Sequence, residues 1–63
     1  MTLKELWEDK RMSPTEVAGR ARISVTTLYK MNRKETVSRG SIKSVCRVLG
    51  ITEEQYKQLE AEK

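Results

Sequence analysis

Apolar residues recur every three or four positions along most of this chain, which is the spacing of one buried face on an α-helix. Short polar stretches containing serine or threonine separate these apolar runs, and both residue types are favoured N-terminal helix caps. Five runs of this kind follow one another in 63 residues. The pattern therefore predicts an all-α fold of five short helices.

Each predicted helix has its own start signal. Three are capping boxes, in which the N-cap hydroxyl and the side chain three residues later each bind the other residue's backbone N–H: Thr2–Glu5, Ser13–Glu16 and Thr52–Gln55. Ser24 and Ser38 are the expected caps of the other two helices, and Gly50 is a C-terminal stop signal. The predicted helices span about residues 3–10, 14–20, 25–33, 39–48 and 53–61, and we expect residues 60–63 to fray.

The length and the residue types narrow the possible functions. A chain of 63 residues predicts one domain, residues 1–63, with little room for a catalytic cleft. One cysteine and no histidine exclude an internal disulfide and a zinc site, and fit a cytoplasmic setting. No apolar run reaches the length of a membrane span. We expect no catalytic residues, no cofactor and no metal, and Cys46 is interpreted as a buried hydrophobic residue.

The net charge of +4 is unevenly distributed. Residues 10–47 contain ten basic and two acidic side chains, whereas the two ends together contain three basic and seven acidic ones. The middle of the chain therefore carries +8 and the ends −4. A basic middle of this kind attracts phosphate and favours a nucleic-acid partner.

The centre of the basic region, residues 14–33, is typical of a helix-turn-helix. In its second helix Leu28 and Met31 lie three residues apart and are expected to point inward. The outward positions then hold short hydroxyl side chains, a lysine and other residues suited to DNA: Val25, Thr26, Thr27, Tyr29, Lys30 and Arg33. Threonine and valine are poor helix formers, which suggests that this face was chosen for contacts rather than for stability. The alternative is a short helix that is simply held by its packing.

The order and spacing of these residues resemble the lambda-repressor-like helix-turn-helix family, which comprises phage repressors, Cro proteins and XRE-type bacterial regulators. The resemblance covers about residues 3–59 and depends on several short motifs: Leu3-x-x-Leu6, Met12-Ser13, Glu16-Val17-Ala18, Ile23-Ser24, Thr27-Leu28-Tyr29-Lys30-Met31 and Leu49-Gly50-Ile51. It implies a compact five-helix domain that regulates transcription, as a repressor, with helix 3 in the major groove.

The resemblance also implies which residues contact DNA. The base contacts would be Val25, Thr26, Thr27 and Lys30, where Lys30 could donate to guanine and Val25 could pack on a thymine methyl. The phosphate contacts would come from the helix caps and from the loop before helix 4: Ser13, Ser24, Tyr29, Arg33, Lys34, Thr36, Ser38 and Arg39. For Tyr29, a groove-edge contact and simple packing remain open.

Three positions depart from the usual pattern of the family. Pro14 stands where a glutamine usually braces the recognition helix and a phosphate, which puts that clamp in doubt. Arg22 stands where the turn usually has glycine, and a positive φ there would cost about 1 kcal/mol relative to glycine. Trp7 and Asn32 together replace an arginine–glutamate pair, which is consistent with a buried contact that has lost its ion pair.

The implied partner is double-stranded DNA with a pseudo-palindromic operator, because one recognition helix covers only half of such a site. For a chain of this size we expect a homodimer on DNA, and in free solution a weak dimer or a monomer. A longer regulator or a second subunit could also supply the other half. The main alternative is a protein-interaction module whose basic face meets an acidic protein. RNA binding ranks lower, because no aromatic residues are spaced for base stacking.

Overall fold

The computed structural model describes residues 1–62 and forms five α-helices in this part of the chain. They are α1 (Leu3–Asp9), α2 (Pro14–Ala21), α3 (Val25–Asn32), α4 (Arg39–Leu49) and α5 (Glu53–Gln58). This confirms the predicted five-helix, all-α fold, and the first four helices end within one residue of their predicted bounds. No helix among residues 1–62 has the length and apolar character needed to cross a membrane.

All five predicted N-caps are confirmed, because each capping hydroxyl accepts a hydrogen bond from the backbone three residues later. The boxes at Thr2 and Thr52 are complete. The box at Ser13 is only half formed, so that prediction was wrong in part. Ser13 Oγ accepts from the N–H of Glu16 at 3.1 Å, but the Glu16 carboxylate instead binds Arg20 at 2.9 Å. A guanidinium one turn along the helix competes for this carboxylate.

Residues with positive φ end two of the helices. Gly50 ends α4 with φ 69°, as its stop signal predicted. Arg22 ends α2 with φ 59° and ψ 43°, so an arginine adopts the left-handed conformation at the turn before α3. This conformation costs an L residue about 1–2 kcal/mol that glycine avoids. The turn is nevertheless well bonded, since the N–H of Ile23 donates to the carbonyl of Ala18 at 3.0 Å.

The core is one cluster to which all five helices contribute. Its buried members are Leu3, Trp7, Val17, Ala18, Ala21, Leu28, Met31, Val45, Cys46, Leu49 and Tyr56. Helix α2 packs against α4, α3 and α1. On α3, Leu28 and Met31 are fully buried, which fixes the rotation of this helix about its axis. The face of α3 opposite these two side chains is therefore turned away from the core.

The C-terminal segment differs from its prediction, because α5 ends at Gln58 rather than near residue 61. Leu59 is extended, and the N–H of Glu60 donates to the carbonyl of Met1 at 2.9 Å. The N–H of Glu62 donates to the carbonyl of Asn32 at 3.0 Å. The backbone of residues 60 and 62 thus pairs with distant segments in the folded chain. Lys63, the last residue of the stretch expected to fray, lies outside the described residues.

Asn32 is a buried polar residue at the C-terminal end of α3, with 3% of its surface exposed. Its Oδ1 accepts from the backbone N–H of Lys4 at 2.9 Å, and its Nδ2 donates to the Glu62 carboxylate. The first four N–H groups of a helix lack partners within that helix. Asn32 thus supplies one such partner to α1, and both of these side-chain bonds go to residues other than Trp7.

Candidate nucleic-acid interface

The exposed face of α3 contains the residues predicted to contact bases. Thr26 and Lys30 are exposed, and Val25 and Thr27 are half-buried. Because Leu28 and Met31 are buried, Thr26 and Lys30 lie on the side that an incoming ligand could reach. Val25 packs partly against the core, so only part of its side chain is accessible. The face offers one ammonium, two hydroxyls and apolar methyl groups. Groups of these kinds can distinguish base edges in the major groove.

The first turn of α3 is held by a pair of hydroxyl groups. Ser24 Oγ accepts from the N–H of Thr27 at 3.1 Å and lies 2.9 Å from Thr27 Oγ1. The two side chains therefore fix each other's orientation. A pre-oriented hydroxyl loses less conformational entropy when it binds a ligand than a freely rotating one does.

Tyr29 is 39% exposed, and its ring packs edge-to-face on the Trp7 ring of α1. The ring centroids are 6.3 Å apart with an interplanar angle of 78°. This geometry is typical of favourable aromatic pairs. It shows that packing is at least one role of Tyr29, while part of its ring remains accessible beside α3.

The predicted phosphate contacts with hydroxyl groups lie at helix starts or in the loop before α4. Ser13 caps α2 and is exposed. Ser38 caps α4, with its Oγ 2.8 Å from Ser41 Oγ, and Thr36 is exposed in the preceding loop. Hydroxyls and backbone N–H groups at helix N-termini are common phosphate ligands.

Two predicted phosphate-binding arginines form ion pairs within the protein. Arg33 binds the carboxylate of Glu35, and Arg39 lies 3.6 Å from the carboxylate of Glu53. The Arg33 side chain is 49% exposed and the Arg39 side chain 78% exposed. Exposed pairs of this kind contribute only about 0–1 kcal/mol. Both guanidinium groups could therefore exchange a carboxylate for a phosphate at little cost.

Lys34 is placed differently from the other predicted phosphate contacts. Its Nζ donates to the carbonyl of Tyr56 at 2.7 Å and lies 4.1 Å from the centroid of the Tyr56 ring. Burial lowers the pKa of this lysine. The ammonium is thus directed at α5, and it holds the loop after α3 against that helix. The sequence did not indicate this contact, because its partners are 22 residues apart.

A groove of about 320 Å³ lies between α4 and α5. Ile42 and Tyr56 contribute apolar surface, and Arg39, Glu53 and Lys57 contribute charges of both signs. None of the residues predicted to contact bases lines this groove, but Arg39, a predicted phosphate contact, does. The groove and the outward face of α3 are therefore formed by different side chains.

Comparison with known families agrees with this geometry. Residues 2–59 match the family model described as the Cro/C1-type HTH DNA-binding domain. The match covers all five helices and confirms the resemblance seen in the sequence. No curated protein and no solved structure gives a significant match to the chain.

Proposed function

Because the chain belongs to the Cro/C1-type helix-turn-helix family of DNA-binding domains, we propose that it represses transcription by reading a specific duplex sequence with α3 in the major groove. The observation that carries this proposal is the fixed rotation of α3. Full burial of Leu28 and Met31 turns Thr26 and Lys30 outward as a pre-formed reading face. Its site of action would be the cytoplasm of a bacterial cell.

The roles of the individual side chains follow from their chemistry. Lys30 donates to the O6 and N7 atoms of a guanine, and Val25 or a threonine methyl packs on a thymine methyl. Phosphates are bound by the capping hydroxyls Ser13 and Ser24 and, around α4, by Thr36, Ser38 and Arg39. Arg33 joins them when its contact to Glu35 is exchanged. Lys34 supports the site indirectly, by fixing the loop after α3 through Tyr56.

We further propose that two copies bind one pseudo-palindromic operator. One recognition helix reads a single half-site, and a domain of this size buries too little surface for tight binding alone. The α4–α5 groove supports self-association through residues outside the proposed phosphate contacts, since Ile42 and Tyr56 are apolar and Glu53 and Lys57 carry opposite charges. Sedimentation of the protein with and without a selected duplex would test this proposal. A 1:1 complex on a site without inverted symmetry would contradict it.

The test of DNA reading is selection of binding sequences from random duplex DNA, followed by titration at two salt concentrations. We expect an inverted repeat with half-site centres about 10 base pairs apart. Failure to recover any motif, with weak and steeply salt-dependent binding, would contradict the proposal. The protein-interaction alternative would then become the leading hypothesis.

Two substitutions separate base contacts from phosphate contacts. Lys30→Ala should weaken the free energy of binding to the selected site by roughly 1–3 kcal/mol and relax the preference at one base pair. Arg39→Ala should weaken binding to all sequences and lower the salt slope by about one unit. Equal losses for the two variants on selected and random DNA would show that α3 does not read bases.

A further inference from the structure

Three residues other than glycine adopt positive φ among residues 1–62, and all three are basic. They are Arg11 with φ 56°, Arg22 with φ 59° and Lys34 with φ 60°. Each follows the end of a helix, where glycine is the usual residue in this conformation. A side chain at such a position is strained, so its presence calls for a compensating interaction.

Lys34 obtains that interaction inside the protein, through the ring and the carbonyl of Tyr56. Arg11 and Arg22 do not. Both are exposed, and within residues 1–62 neither side chain forms an ion pair or a hydrogen bond. Arg20 and Arg33 on neighbouring helical segments do have carboxylate partners. The two free guanidinium groups are therefore available to a partner outside the chain.

Arg22 also lies beside the proposed reading face. It is the residue between α2 and the Ile23–Ser24 segment that leads into α3. Val25 follows it three positions later, a distance of at most about 10 Å along an extended backbone. A guanidinium offers five donors in a planar fork that matches two phosphate oxygens.

We propose that Arg22 is a DNA phosphate contact, and that its interaction with the duplex compensates the strained turn in which it stands. This inference rests on the proposed reading of duplex DNA by α3. It assigns a binding role to the one turn position where the chain departs from the glycine usual in its family.

The test is Arg22→Gly, because stability and affinity then change in opposite directions. Glycine adopts the same φ without strain, so the thermal unfolding midpoint should rise by a few degrees. Loss of one phosphate contact should reduce affinity for the selected duplex about fivefold at 0.15 M salt and lower the salt slope by about 0.9. Arg22→Lys should keep most of the affinity, because the positive charge remains.

Arg11→Gly is the control for strain. It removes another arginine with positive φ, so it should raise the unfolding midpoint by a similar amount. Arg11 lies two residues before Ser13, a proposed phosphate ligand, so the control for charge is Lys4→Ala on α1. This variant removes one exposed positive charge outside the proposed site and should change affinity less than twofold. Equal affinity losses for Arg22→Gly and Lys4→Ala would show an effect of net charge alone and overturn the assignment. Unchanged affinity in Arg22→Gly would also overturn it. Failure of the wild-type protein to select a motif would instead refute the proposed function, and with it this inference.

Discussion

Asn32 should be one of the most stability-sensitive polar residues of the domain. Asn32→Ala removes the acceptor for the N–H of Lys4 and the donor to Glu62. A neutral hydrogen bond contributes about 1 kcal/mol, and a part-buried N–H left without a partner adds about 1 kcal/mol or more. The partly exposed Glu62 carboxylate can bind water once Asn32 is removed, so this bond adds little. We therefore expect the free energy of unfolding to fall by about 2 kcal/mol.

A loss of this size is large for a domain of this length, because chains below about 70 residues rarely exceed 3–5 kcal/mol in total. The midpoint of thermal unfolding should fall by about 8–16 °C, at 4–8 °C for each kcal/mol. Urea titration followed by circular dichroism gives the free energy directly, and an unchanged m-value would show that the native state remains intact.

Two further variants isolate the bond to Lys4. Glu62→Ala removes only the second contact of Asn32 and should cost about 0.5 kcal/mol. Asn32→Asp keeps an oxygen that can accept from Lys4 but sets a charge beside Glu62, so we expect an intermediate loss. If Asn32→Ala destabilises the protein no more than Glu62→Ala does, the reasoning about the start of α1 is refuted.

Two other expectations concern local backbone and protonation. Gly50→Ala should lower the free energy of unfolding by about 1 kcal/mol because of its positive φ. Gly40→Ala, inside α4 with open space around it, should raise the free energy of unfolding by about 0.5–1 kcal/mol. Urea titration measures both changes, and two changes in the same direction would contradict this reasoning. The Thr2 backbone N–H lowers the pKa of the Glu5 carboxyl, so its contribution to stability is present above the ordinary glutamate pKa and is lost as the pH falls through the folded-state pKa. Glu5→Gln should therefore reduce the acid dependence of the unfolding free energy; an unchanged dependence would show that this carboxylate is not responsible.

The helix starts were predictable because a cap and its partner lie three residues apart. Thr2, Ser24 and Thr52 each form the bonds that their local sequence indicates. The rotation of α3 was also predictable, because Leu28 and Met31 are the apolar pair with helical spacing. These features depend on one short segment at a time.

Contacts between distant segments were not predictable in the same way. The Lys34–Tyr56 contact joins residues 22 positions apart, and Asn32 reaches Lys4 across 28 positions. A lysine in a polar loop and a lone asparagine look the same in the sequence whether they are buried or solvated. The end of α5 was missed for a related reason, since Leu59 leaves the helix so that Glu60 can pair with Met1.

The pairing of Thr2 with Glu60 has a consequence for the order in which the domain forms and opens. Closing a loop of about 58 residues costs roughly 3.6 kcal/mol of chain entropy beyond a constant, whereas each capping contact closes only a few residues. This pairing should therefore form late in folding and open early, ahead of the core. Since Glu62 in the same segment binds Asn32, the first opening motion of the domain would release the C-terminal end of α3 while its N-terminal turn stays capped by Ser24.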